Sequence, residues 1–240
     1  MNRTEPIGTP PRPEPAQIEC ASATVVSELD GSEAAGIYFC TVKPALDRAL
    51  AAILLLAGAP LFATSMLSIW ATSGRPLFYR PRLVGRNGRE FRALKFRTMV
   101  PGADQELERL LNERHYKKSH SERGKLPNDP RTTRLGRFLR RSSLDELPQL
   151  LNVLLGEMSL VGPRPLPRRE LEQRYGSRAD SFLKVKPGLT GLWQVSGRSL
   201  LTYARRIELD LYYAGHVTLG LDLWILMRTP FAVLSGRGAW

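Results

Sequence analysis

The chain has 240 residues, of which 42% are hydrophobic, so it can build one domain with a real core and wholesale disorder is excluded. Its 35 Lys and Arg against 23 Asp and Glu give a formal net charge of +12, which indicates an anionic partner such as nucleic acid, a phospholipid surface or a phosphorylated substrate. The charge is uneven, because residues 1–48 sum to −3 and residues 74–240 to +15. The anionic partner is therefore expected to meet the C-terminal part.

Residues 1–43 are acidic, rich in proline and without sustained apolar periodicity, so we predict a disordered tail there. No signal peptide is visible within it. The two cysteines, Cys20 and Cys40, lie far from any other residue at metal-ligand spacing. We interpret both as ordinary thiols and expect neither a zinc site nor a disulfide framework.

A mostly apolar, uncharged segment follows at residues 49–73. As a helix rising ~1.5 Å per residue, it is long enough to cross a hydrocarbon core of ~30 Å. Gly58 and Pro60 interrupt it near its middle, so two geometries fit: a single kinked span, or two half-helices that enter and leave by the cytosolic face. The arginines that follow the segment predict that the C-terminal part lies in the cytoplasm.

The next residues predict short strands and a helix. Residues 78–84 and 91–96 alternate around Asn87-Gly88 and predict a β-hairpin with its turn at 86–89. Residues 103–114 place leucines on one face and predict a short helix, and the polar residues 115–131 predict a loop.

Two later segments have helical patterns. Residues 135–155 place leucines on one side and arginines on the other, a basic amphipathic pattern suited to an anionic membrane surface. Residues 217–234 are apolar but interrupted by charges and Pro230, which predicts an interfacial or packed helix. No glycine-rich nucleotide motif is found. The histidines are interpreted as surface residues: His115, His120 and His216.

An acidic pair, Asp145-Glu146, lies in this arginine-rich region. One interpretation is structural: Ser143 and Glu146 match the capping box that satisfies backbone donors at a helix start. The other is chemical, because a carboxylate near a cytosolic membrane face with arginines in reach suits phosphoryl transfer. Mg²⁺ prefers such oxygen ligands together with phosphate. The two interpretations are compatible, since a helix N-terminus also binds anions.

Four strings follow the apolar segment in order: KFRTM (95–99), SLDELPQLLN (143–152), GEMSLVGPRP (156–165) and KPGLTGLWQVSGR (186–198). Together they closely resemble the bacterial sugar transferases. These are the monotopic phosphoglycosyl transferases that begin exopolysaccharide, O-antigen or glycoprotein glycan assembly. The likeness covers residues 44–240 and is strongest to the small exopolysaccharide-production members.

The resemblance implies an α+β fold, a small membrane-associated domain with a short β-hairpin and interfacial amphipathic helices. It implies a re-entrant membrane helix at residues 44–74, kinked at Pro60, and a catalytic domain at residues 75–240 on the cytosolic face of the bacterial inner membrane. Members of the family kink at a Ser-Pro pair, whereas this chain has Ala59-Pro60.

The activity implied is transfer of a hexose 1-phosphate from a UDP-sugar to undecaprenyl phosphate, with release of UMP through a covalent aspartyl-phosphosugar intermediate. It would be the first membrane step of exopolysaccharide synthesis, with Mg²⁺ as cofactor. By resemblance, Asp145 is the nucleophile, Glu146 acts as base or Mg²⁺ ligand, and Arg140 meets the polyprenyl phosphate. Other matching residues are expected to shape the site or hold nucleotide and phosphates: Lys95, Arg97, Arg164, Gln194 and Arg198.

The expected partners are a UDP-hexose, with galactose or glucose favoured, undecaprenyl phosphate and membrane lipid. Downstream glycosyltransferases and a homodimer are compatible with the sequence. A nucleic-acid partner is not expected, because only 8% of residues are aromatic and no helix-turn-helix pattern is found. The alternative is a non-catalytic membrane-tethered scaffold or a basic anion-binding protein of the same pathway.

Overall fold

The computed structural model describes residues 36–112, 126 and 129–236. Most of the predicted acidic tail lies outside the described residues, as do His115, His120 and most of the predicted loop. Order begins before the predicted end of the tail at residue 43, because Tyr38 and Phe39 are buried in the core. His216 is exposed, as predicted.

Helices with short strands between them form the described structure, which confirms the predicted mixture of helix and strand. A π-helical turn (Tyr38–Val42) precedes α1 (Lys43–Ala57), α2 (Ala59–Ser73), α3 (Ala103–Leu110), α4 (Arg134–Arg141), α5 (Gln149–Leu154), α6 (Arg168–Tyr175), α7 (Ala179–Phe182), α8 (Leu192–Val195), α9 (Tyr203–Gly215) and α10 (Leu219–Leu234). The strands are β1 (Phe78–Tyr79), β2 (Arg82–Val84), β3 (Glu90–Arg92), β4 (Lys95–Phe96), β5 (Ser159–Val161) and β6 (Gly188–Thr190).

The apolar segment forms a bent helix pair. The helices α1 and α2 meet at Gly58, and the helical segments before and after it are bent by 62°. Pro60 lies in the first turn of α2, where it has no N–H to continue the hydrogen-bond ladder of α1. No single helix in the described part of the chain is long and apolar enough to span a membrane, but the bent pair together meets that requirement. The predicted break at Pro60 is confirmed.

The predicted hairpin is also confirmed. The ladders β1–β4 and β2–β3 are antiparallel and share one register, with Phe78 opposite Phe96 and Leu83 opposite Phe91. Asn87 and Gly88 both have positive φ in the turn, a conformation that Asn and Gly tolerate best.

Two predicted helices differ from those observed. Residues 135–155 do not form one amphipathic helix, because α4 ends at Arg141 and α5 begins only at Gln149. Between them Ser143 adopts a left-handed conformation and Pro148 lacks an N–H, and both interrupt a helical ladder. The helix α3 ends at Leu110, earlier than the predicted residue 114.

The main core joins the helix pair to the rest of the chain. Apolar residues of the hairpin, β5, α9 and α10 pack in one cluster with Ala51 of α1. Inside it lies an ion pair, in which Lys43 Nζ is 2.6 Å from Asp222 Oδ2 and also donates to the carbonyl of Val161 at 3.1 Å. Both charged side chains are buried, so α1 is held to α10 and β5 by charged hydrogen bonds as well as by apolar packing.

We expect Asp222→Asn to reduce the free energy of unfolding by about 3–5 kcal/mol, because it removes the nearer counter-ion of the buried Lys43 and leaves only Asp47, whose Oδ2 is 3.8 Å from Lys43 Nζ. Thermal unfolding in detergent, followed by fluorescence, measures the shift. Glu208→Gln is the matched control, since Glu208 pairs with Arg205 at the exposed surface and should contribute well under ~1 kcal/mol. Equal shifts in the two variants would show that the buried pair contributes no more than a surface pair.

Candidate active site

The acidic pair lies in the turn between α4 and α5. Asp145 and Glu146 belong to a 3₁₀ turn (Leu144–Glu146) that follows the left-handed Ser143. The capping-box interpretation is wrong, because Ser143 makes no side-chain cap hydrogen bond. Its hydroxyl instead accepts a hydrogen bond from Arg198 Nη2 at 2.8 Å. The turn therefore presents both carboxylates without using either as a helix cap.

The hairpin positions a lysine against this turn. Lys95 Nζ in β4 donates to Glu146 Oε1 at 2.7 Å, and the two side chains are only 18% and 22% exposed. Such a partly buried pair is weakly screened by solvent and restricts both side chains. The result is a Glu146 carboxylate with a defined orientation next to Asp145.

Asp145 is half-buried and surrounded by charges. Burial raises its pKa to about 6, and the negative charge of Glu146 acts in the same direction. The positive charges of Lys95, Arg140 and Arg164 oppose that rise. Above pH ~6 the group is a carboxylate with cations close by, as a nucleophile at phosphorus requires.

Two arginines are fixed around the pair by neutral oxygens. Arg140, in the last turn of α4, donates from Nε to Thr98 Oγ1 at 3.0 Å, and burial lowers its pKa. Arg198 donates to Ser143 and to the carbonyl of Ala232, and burial lowers its pKa as well. Because neither arginine is neutralised by these hydrogen bonds, both remain available to an anion.

Arg164 approaches the pair from the loop after β5. Its guanidinium carbon lies 5.8 Å from the centroid of the Trp193 ring, and its charge lowers the pKa of Asp145. The structure therefore brings six predicted residues together around one turn: Lys95, Arg140, Asp145, Glu146, Arg164 and Arg198.

Two other predicted residues have different contacts. Arg97 is buried and donates to the carbonyls of Ser73 and Gly74, where it satisfies the C-terminal end of α2. Gln194 donates from Nε2 to the carbonyl of Leu189 in the strand β6 at 3.1 Å. The hydrogen bonds of both residues in the described structure therefore brace backbone and do not involve the acidic pair.

The sequence does not predict the roles of two residues near the site. For Ser143 it predicts a helix cap, and the positive φ of this residue has no signal in the sequence. Asp210 lies between Leu209 and Leu211 within α9, is 3% exposed and accepts a hydrogen bond from Tyr175 Oη at 2.8 Å. An acidic residue between apolar neighbours in a helix was the available signal.

The carboxylate oxygens of the acidic pair are suitable ligands for Mg²⁺. Within the described residues, no group of three or more His, Cys, Asp or Glu is placed to hold a metal ion. Mg²⁺ nevertheless binds commonly through one or two carboxylates, with water and substrate phosphate as its other ligands. The adjacent carboxylates of Asp145 and Glu146 fit that smaller protein contribution.

Comparison with known proteins agrees with this geometry. Residues 38–236 match the family model described as bacterial sugar transferase. Over 200 residues the chain is 45% identical to the exopolysaccharide production protein ExoY of Rhizobium meliloti, covering 82% of this chain and 88% of that protein.

Two longer relatives share only part of their length with this chain. The undecaprenyl-phosphate galactose phosphotransferase of Salmonella typhimurium is 43% identical, over 83% of this chain and 42% of that protein. The UDP-glucose:undecaprenyl-phosphate glucose-1-phosphate transferase of Xanthomonas campestris is 35% identical, over 92% of this chain and 45% of that protein. As its four sequence motifs predicted, the chain belongs to the bacterial sugar transferase family and is an enzyme of that type.

Proposed function

We propose that the protein transfers a hexose 1-phosphate from a UDP-hexose to undecaprenyl phosphate, releasing UMP, as the first membrane step of exopolysaccharide synthesis. The observation that carries this proposal is the Asp145 carboxylate, half-buried beside Glu146 and within the field of Lys95, Arg140 and Arg164. The names of the Salmonella and Xanthomonas relatives support the lipid acceptor and a galactose or glucose donor.

This arrangement suits phosphoryl transfer because the protein's main task there is to position groups and to stabilise negative charge. Arg140, Arg164 and Arg198 offer planar donor pairs that match phosphate oxygens. Asp145 is ionised at neutral pH and needs no separate base to become a nucleophile.

The proposed reaction has two displacements at one phosphorus. First, an Asp145 oxygen forms a bond to the β-phosphorus of the UDP-hexose, and the bond from that phosphorus to the bridging oxygen breaks, so that UMP leaves with the electron pair. Second, a phosphate oxygen of undecaprenyl phosphate attacks the same phosphorus, and the bond to Asp145 breaks. The carboxylate is regenerated and the product is an undecaprenyl diphosphate hexose.

Glu146 has a supporting part in this scheme. Oriented by Lys95, it would hold Mg²⁺ together with Asp145, and the ion when bound supplies neutralisation of the diphosphate charge. Arg140 would face the acceptor phosphate, and Arg164 and Arg198 the donor diphosphate. Arg97 and Gln194 would support the site through the backbone that they bind.

The bent helix pair supports a re-entrant anchor at the cytosolic face of the inner membrane. It exposes large apolar side chains, such as Leu56 at 79% and Leu67 at 63%, which a water-facing surface rarely collects. Both of its ends are bound to the same body, Lys43 to Asp222 and Ser73 to Arg97. A single span would carry those ends to opposite sides of the membrane, so the contacts favour entry and exit by one face.

We expect Asp145→Asn to lower the rate of UMP release by roughly 10³-fold or more, because the nucleophile is lost. The assay uses protein in nanodiscs with undecaprenyl phosphate and Mg²⁺ and compares UDP-galactose, UDP-glucose and UDP-N-acetyl sugars. Asp180→Asn, an exposed carboxylate of α7, is the matched control and should release UMP normally. Wild-type rates in the Asp145 variant would remove it from the role of nucleophile.

The covalent intermediate has its own test. Without the lipid acceptor, intact-protein mass spectrometry of the wild type should show an added hexose phosphate, and the Asp145 variant should show none. An adduct that persists in Asp145→Asn would assign the nucleophile elsewhere.

Activity should fall as pH drops through the pKa of Asp145, about 6, because the protonated carboxyl is a poor nucleophile. Lys95→Gln should move this acidic limb to higher pH, since the Lys95 charge lowers that pKa. The measurement is the pH profile of kcat/KM for UMP release, with Lys184→Gln as control. A limb that stays in place or moves to lower pH in the Lys95 variant would contradict the assigned electrostatics.

The re-entrant anchor predicts that both ends of the helix pair label from one side. In a variant without Cys20 and Cys40, Ala45→Cys and Arg75→Cys should both react with an impermeant maleimide in inverted membrane vesicles and neither in spheroplasts. Both positions are exposed in the structure. Reaction of the Ala45 position from the periplasmic side alone would establish a span instead.

A further inference from the structure

A buried carboxylate, Asp210, lies on α9 behind the acidic pair. Asp210 is 3% exposed and accepts a hydrogen bond from Tyr175 Oη of α6 at 2.8 Å. The backbone N–H of Arg164 also faces this carboxylate and lowers its pKa. One side chain therefore joins two helices and acts on the loop that leads into the acidic pair.

Burial disfavours the charged form of the Asp210 carboxylate, and its polar and cationic neighbours offset only part of that cost. Burial raises the pKa of Asp210 to about 7, while the Tyr175 hydroxyl, the backbone of Arg164 and the charges of Arg164 and Arg206 lower it. A buried charge contributes little to stability compared with an apolar side chain of similar volume. What the carboxylate does supply is a hydrogen-bond acceptor near Arg164 and, when it is ionised, a negative charge there.

The loop that carries Arg164 is tightly held everywhere else. Gly162 N–H donates to the carbonyl of Thr190 at 2.9 Å, and Gly188 N–H donates to that of Pro163 at 2.8 Å. A Cβ on Gly162 would lie 2.4 Å from the carbonyl oxygen of Lys186, so the loop backbone packs directly on the backbone that leads into β6. Asp210 acts on the next residue along the chain, Arg164, through its backbone and its charge.

The guanidinium of Arg164 is in a crowded cationic position. The guanidinium carbons of Arg164 and Arg206 lie 5.8 Å and 5.1 Å from the centroid of the same Trp193 ring. Their repulsion is visible in Arg206, whose pKa is lowered by burial and then by the charge of Arg164. Asp210 attracts both guanidinium groups, and among the described residues Arg164 has no hydrogen-bond partner for its own guanidinium.

We propose that Asp210 is a positioning residue: it holds the backbone of Arg164, counters the repulsion from Arg206, and so directs the Arg164 guanidinium to the donor diphosphate at the acidic pair. The inference rests on the proposed function, in which Arg164 binds phosphate oxygens of the nucleotide sugar. Asp210 itself touches no substrate and acts only through Arg164.

A double-mutant cycle tests this role. Asp210→Asn should raise the KM for the UDP-hexose and lower kcat/KM by about tenfold to a hundredfold, with the KM for undecaprenyl phosphate unchanged. In an Arg164→Ala background the same substitution should have less than about a twofold effect, because its target is gone. The affinity for UDP, measured by calorimetry, should follow the same pattern without any turnover.

The matched control is Glu170→Gln. Glu170 is also a carboxylate of the α6–α9 contact and accepts a hydrogen bond from Tyr203 Oη at 2.7 Å, so it reports the loss of a structural tyrosine–carboxylate bond. It should leave the KM for the donor unchanged. If Asp210→Asn fails to fold, Tyr175→Phe replaces it in the cycle and should produce a smaller loss that also vanishes without Arg164.

Effects that multiply in the double variant, or an equal rise in both KM values, would overturn the positioning role and leave Asp210 as a core residue. Failure of the proposed function has a different signature. The wild type would then release no UMP from any UDP-sugar, while the calorimetric cycle with UDP would still decide whether Asp210 acts through Arg164.

Discussion

The ion pair between Lys43 and Asp222 determines how the bent helix pair attaches to the rest of the protein. Asp222 accepts hydrogen bonds from Lys43, Tyr38 and Tyr213, and Lys43 also reaches the carbonyl of Val161. Burial and the nearby Asp222 charge raise the pKa of Tyr213 well above its usual value, so its hydroxyl remains a donor. Every strong acceptor at this junction is matched by a donor, which is the condition for burying charge in a core.

In the proposed reaction, the same junction would set the depth of the reacting groups relative to the membrane. Asp47, one turn after Lys43, accepts hydrogen bonds from Ser159 Oγ and the Leu160 N–H, so two charged residues of α1, Lys43 and Asp47, bind β5. The loop that follows β5 directly carries Arg164. In that reaction, an acceptor whose phosphate lies in the headgroup plane and a water-borne nucleotide must meet at one depth. The path from α1 to the loop that carries Arg164 is only a few residues long and would provide that depth.

Local features of the fold were predictable, and long-range ones were not. The Asn87-Gly88 turn and the Pro60 break follow from backbone preferences of single residues, and the structure contains both. The left-handed Ser143 has no such signal, because its conformation depends on Arg198, which is 55 residues away. Pairing of Lys43 with Asp222 links residues 179 apart, and a pattern of charges cannot specify which of many acids a lysine meets.

The four sequence motifs predicted the cationic cluster around Asp145, but they did not predict the separate role of each residue within a motif. Lys95 and Arg97 belong to the same five residues, and as residues i and i+2 they would share one face of a continuous strand, but β4 ends at Phe96. Lys95 meets Glu146, and Arg97 meets the end of α2. A residue's place in a motif thus predicts its neighbourhood, whereas its tertiary contacts decide whether it serves the chemistry or the scaffold.

The charges around Asp145 also favour the phosphate substrates of the proposed reaction. Lys95, Arg140, Arg164 and Arg198 supply four positive charges against the two carboxylates, a net charge of +2. The arginines destabilise one another, since the charge of Arg164 lowers the pKa values of both Arg140 and Arg198 after burial has done so. The diphosphate of the proposed donor carries about two negative charges and would relieve that repulsion. Neutral sugars or lipids carry no such charge, so the proposed site would concentrate its binding energy on the group that reacts.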